Sequence, residues 1–104
     1  MSYDMSILGT NARPERTVSL AFDAHEQIVE VANQLGLCLL PRIANYYEDA
    51  VFFPAEILAL KSELGQVCAY MDAHGQSIPP CLIGLIDLAV EAETHWREIV
   101  GIAD

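Results

Sequence analysis

Apolar positions recur at helical spacing over three stretches of the chain. Ile28, Val31, Ala32 and Leu35 fall on one face of a first helix. Asp23 and Glu26 are spaced as a capping box at its start, and Gly36 is placed to end it. Pro41 opens a short second helix to about Tyr47, closed by Glu48 and Asp49. Ala50 to Phe53 then bridges to Pro54, which starts a long third helix running to about Ala73. Its apolar stripe is Ile57, Leu60, Leu64, Val67, Cys68 and Met71, and Glu56, Glu63 and Gln66 lie off that stripe. A fourth helix is predicted from Pro80 to about Gly101. Its core face is Leu82, Leu85, Ala89, Ala92, Trp96 and Ile99, and its wet face is Asp87, Glu91, Thr94 and Glu98. Glu93 and Arg97 form a favourably oriented pair one turn apart on it.

The first residues lack this period. Met5 to Leu8 reads as a short strand or an arm, and Gly9 to Pro14 as a loop by composition. Thr17 to Phe22 alternates weakly and reads as an extended lead-in to the first helix. The expected fold is therefore mostly α: a compact bundle of about four helices with a short extended N-terminal segment. Residues 1–16 are expected as an arm or loop and residues 17–104 as a single helical domain.

Charge changes this picture most. Fifteen Asp and Glu face five Lys and Arg, for a formal net charge of −10 on 104 residues. Such a chain repels nucleic-acid phosphates and anionic lipid, and it attracts basic protein surfaces. With 53% apolar residues it is too hydrophobic for disorder. The apolar run around Ile78 to Val90 is too short and too interrupted to span a bilayer. The start lacks the basic residues of a signal peptide, and three cysteines without a CxxC fit a reducing compartment. The expected location is cytoplasmic.

Candidate chemistry is sparse. His25 lies near Asp23 and Glu26, and His95 lies one turn after Glu91, but residues within one helical turn splay rather than converge on an ion. No nucleophile elbow or phosphate loop occurs, and the cysteines lack basic neighbours in sequence. The spacing names no catalytic residue, no metal-ligand set and no cofactor. The segment Tyr46-Tyr47-Glu48-Asp49, followed by Val51-Phe52-Phe53, crowds four aromatic rings and two acids around a helix junction. Rings with adjacent carboxylates suit a protein interface as well as a bundle end.

Three segments together, Ser19 to Gln27, Leu39 to Phe52 and Glu56 to Leu64, resemble the small acidic bacterial immunity proteins that accompany secreted polymorphic toxins. The pattern covers about half the chain and consists of leucines, tyrosines and acids rather than catalytic residues. Phe53 stands where the usual form has a polar cap before the proline. The resemblance implies a cytoplasmic binding protein, not an enzyme, that neutralises a basic toxin domain by direct contact. Tyr46, Tyr47, Glu48 and Asp49 are the first expected contacts, then Asp23, Glu26 and Glu30, then the acidic face Asp87, Glu91 and Glu98. A structural subunit forming a homodimer and a small metal-dependent enzyme are the alternatives. No nucleic acid or membrane partner is expected.

Overall fold

The alternation Tyr3-Asp4-Met5-Ser6-Ile7 decides the architecture. In the computed structural model, which describes residues 2–9 and 14–103, Tyr3–Leu8 is an interior strand, β1. It pairs antiparallel with β2 (Pro14–Leu20) on one side and with β4 (Ile99–Ala103) on the other. A short strand β3 (Ala50–Phe52) pairs antiparallel with β4, giving the sheet order β2-β1-β4-β3. Strand side chains alternate between faces. Tyr3, Met5, Ile7, Leu20, Ile99 and Phe52 point to one face and are buried. Thr17, Ser19, Val51 and Ile102 point to the other and are exposed.

Three helices complete the fold: α1 (Phe22–Gln34), α2 (Ile57–Ala73) and α3 (Pro80–His95). Two 3₁₀ turns, Leu40–Ile43 and Pro54–Glu56, join them to the sheet. Ile57, Leu60, Leu64, Val67 and Met71 of α2 are buried with Leu82, Leu85, Leu88, Ala89 and Ala92 of α3. Helix α3 lies over β2, with Gly84 close to the Val18 methyls.

The mostly α bundle is therefore corrected to a mixed α/β fold with a four-stranded antiparallel sheet. Two local facts produce the difference. The expected arm contains β1, the strand with a neighbour on each side. The expected fourth helix ends at His95, and Trp96 takes a left-handed conformation at φ 53°, 67% exposed rather than in the core. Ile99 to Ala103, read as the end of that helix or beyond it, is strand β4. The expected Glu93–Arg97 pair does not form. Glu93 pairs with Lys61, and Arg97 donates to the Leu8 carbonyl and lies 3.9 Å from Glu15.

Smaller corrections follow the same pattern. The capping box at Asp23 and Glu26 is not made: Ala21 occupies the N-cap, and Asp23 accepts the N–H of Ala24 at 3.0 Å. Gly36 does close α1, at φ 69°, with Leu37 N–H donating to the Ala32 carbonyl at 3.0 Å. The helix expected from Pro41 to Tyr47 is the single 3₁₀ turn Leu40–Ile43. The loop expected at Gly9 to Pro14 falls mostly on residues 10–13, which lie outside the described residues. Among the described residues, no helix is long and apolar enough to cross a membrane.

Candidate functional site

One flank of α1 faces a groove instead of the core. At 100° per residue, Phe22, Glu26, Val29, Glu30 and Asn33 share that flank. They line a groove of about 590 Å³ with His25, Gln34, Ala44 and Tyr46. The opposite wall is the chain that leaves the 3₁₀ turn at Ile43.

A buried histidine holds the two walls together. His25 is 3% exposed, and its Nε2 lies 2.5 Å from the Ile43 carbonyl oxygen. A carbonyl can only accept, so Nε2 carries the proton. Burial pushes the imidazole below its ordinary value of 6.5, while the Ile43 carbonyl and the Glu26 carboxylate pull the other way. On balance the site favours the neutral ring at the groove floor.

Tyr46 packs on this floor. Its ring centroid is 4.9 Å from His25 and 5.2 Å from Phe22, both edge-to-face, and Tyr47 packs edge-to-face on its outer side at 5.7 Å. The rings fill the space between one another. They present apolar surface. Phe22 and Tyr47 are 54% and 68% exposed, so this surface is open to a partner.

The rim is anionic, and no cation among the described residues pairs with it. Glu26 and Glu30 are exposed, and neither forms a hydrogen bond or ion pair among the described residues. The four described Arg and Lys all lie elsewhere: Arg16 with Glu91, Arg42 with Glu56, Lys61 with Glu93, and Arg97 near Glu15.

The expected contact residues separate in space. Tyr46, Glu26 and Glu30 come together at the groove, with Tyr47 beside it. Tyr46 is 6% exposed, so it serves mostly as floor. Glu48 is exposed at its side chain, and its carbonyl accepts the Tyr3 hydroxyl at 3.0 Å. Asp49 accepts the Ala103 N–H at 2.8 Å and so ties β4 to the loop. Asp23 sits on α1 outside the groove lining. Asp87, Glu91 and Glu98 lie apart from it. Asp87 is exposed, Glu98 is half-buried, and Glu91 is 3.4 Å from Arg16.

Glu91 belongs to a second, smaller hollow of about 360 Å³, lined by Ile7, Glu15, Arg16, Glu91, His95 and Arg97, where opposite charges compensate. His25 and His95 are far apart in role: the first is bonded to a carbonyl in the groove floor, the second lines this hollow. Among the described residues no three His, Cys, Asp or Glu side chains converge as a metal site would require.

Sequence reasoning missed Phe22, Val29, Asn33, Gln34 and Ala44, and it weighed His25 only as a metal ligand and not as a buried tie between two segments. The spacing of Phe22, Glu26 and Glu30 at four-residue steps is a visible signal, hidden because Phe22 read as part of an extended lead-in. Comparison of the chain with family models, with curated proteins and with solved structures finds no match.

Proposed function

We propose that the chain is a non-catalytic binding protein whose α1 groove receives a basic, apolar surface of a protein partner. Neutralisation of a basic toxin domain, as an immunity protein does, is the reading of this kind that the acidic and aromatic segments favour. The observation that carries the proposal is the coincidence of the exposed rings of Phe22 and Tyr47, packed on the buried Tyr46, with Glu26 and Glu30, carboxylates that have no cationic partner among the described residues. The net charge of −10 steers a cationic partner toward the molecule and raises the on-rate. Desolvated rings then set the off-rate.

A photo-crosslinking amino acid in place of Tyr47, followed by peptide identification, tests the reading. The expected product joins Tyr47's position to a Lys- and Arg-rich surface of one partner. Crosslinks only to acidic or neutral surfaces, or to none, contradict it.

A further inference from the structure

We infer that the element seated in the α1 groove is a basic amphipathic helix of the partner, carrying two cations one turn apart beside its apolar stripe. This rests on the binding function proposed above and specifies its ligand. The groove runs beside α1 from Phe22 to Asn33, a length of about 16 Å at about 1.5 Å per residue. At about 590 Å³ it takes a row of side chains, not a whole helix, so the occupant lies across its mouth.

Backbone chemistry selects the helix. An extended segment binds well where it finds unpaired N–H and C=O groups to extend a sheet. Six of the nine lining residues belong to α1 between Phe22 and Asn33, a seventh is Gln34 at its end, and helix backbone is already bonded internally. Only Ala44 and Tyr46 come from non-helical chain. A helical ligand satisfies its own backbone and needs nothing from the wall. The edges of the sheet, where strand addition would occur, lie outside this lining.

The charges fix the pattern on the ligand. Glu26 and Glu30 are four residues apart on α1, which places their Cβ atoms about 5–6 Å apart. Lys or Arg residues three or four apart on a facing helix have the same spacing. Beside them, Phe22, Val29, Ala44 and the ring of Tyr46 offer apolar contact for a leucine-type stripe.

The test uses a synthetic helix-forming peptide of about 15 residues, with leucines at helical spacing and two lysines four apart on one border of that stripe. A control peptide of the same composition carries a central proline. Binding is read from amide shifts of the protein at Phe22, His25, Val29 and Tyr46. The helical peptide is expected to shift these residues, to bind at least about tenfold tighter than the proline control, and to weaken about tenfold in a Glu26→Gln/Glu30→Gln variant. Equal binding of both peptides at the groove overturns the helix and leaves the basic partner standing. A helical peptide that leaves the groove unperturbed also overturns it. If the crosslinked partner then still loses affinity in the Glu26→Gln/Glu30→Gln variant, the binding function survives. If it does not, both fall.

Discussion

His25 Nε2 donates to the carbonyl oxygen of Ile43 across 2.5 Å, joining the first helix to the chain that forms the far wall of the groove. The bond spans 18 residues of sequence and lies under the rings of Tyr3 and Tyr46. A charged ring could make the same bond, but burial disfavours the charge by more than the bond favours it. Burial lowers the folded pKa below 6.5, so the unfolded chain takes up the proton first as pH falls. Stability is full above about 6.5 and is lost as pH drops through the lower folded value. Urea midpoints measured from pH 7.5 to pH 5 should therefore fall, and they should fall less in His25→Gln. Parallel curves for the two proteins would show that this imidazole does not couple protonation to folding.

Glu63 is an acid in the core. It is 8% exposed, and its carboxylate accepts the N–H groups of Leu39 and Leu40 at 3.1 and 2.8 Å and that of Cys38 at 3.3 Å. Three successive donors entering a 3₁₀ turn are thus satisfied by one side chain from α2. In Glu63→Ala, buried N–H groups are left without a partner, a loss of about 2–4 kcal/mol. Chemical denaturation reads this directly. A loss below about 0.5 kcal/mol would mean water replaces the carboxylate there.

Tyr3 pairs with Ala103 across β1 and β4, and its ring reaches diagonally over Gly101. A Cβ at position 101 would lie 2.6 Å from Cε1 of Tyr3 and 2.7 Å from its hydroxyl. Glycine lets that ring lie against the β4 backbone and reach the Glu48 carbonyl. Gly101→Ala should cost about 1–3 kcal/mol, and less in a Tyr3→Leu background, because the two changes share one contact. Additive losses would refute the contact.

The same ring predicts alkaline behaviour. Burial, aided by the Asp49 carboxylate, pushes the Tyr3 hydroxyl from 10.0 up to about 12. The folded state keeps the proton longer than the unfolded one, so the contribution is intact below pH 10 and disappears as pH rises from 10 toward 12. It amounts to about 2–3 kcal/mol, and Tyr3→Phe should be correspondingly less sensitive over that range. Equal alkaline losses in both proteins would contradict the shift.

Helix α2 was legible because Ile57, Leu60, Leu64, Val67 and Met71 hold one period and all are buried. The sheet was not, for a specific reason at each strand. In β4, Ile99 points inward whether it is counted as three residues after Trp96 on a helix or as the first residue of a strand. Nothing in the residue type of Trp96 marks a left-handed stop. In β1 the alternation of Tyr3, Met5 and Ile7 with Asp4 and Ser6 is plain, but its partners begin at Pro14 and Ile99, and pairing at those separations is not a local signal. Long-range bonds hid the site in the same way. The buried roles of His25 and Glu63 were not legible because the carbonyl and N–H groups they bind lie 18 and 23–25 positions away. The acids and tyrosines of the groove were visible as types, since Glu26, Glu30 and Tyr46 were all expected contacts. Their convergence with Phe22 needed the fold.

The most direct trial of the account is the association rate of the crosslinked partner across a range of ionic strength, for the wild type and for Glu26→Lys/Glu30→Lys. The wild-type rate should fall steeply as salt rises, and the variant should associate at least about tenfold more slowly at low salt with a flatter dependence. Identical rates and salt slopes for the two proteins would show that the α1 groove is not where a basic partner docks.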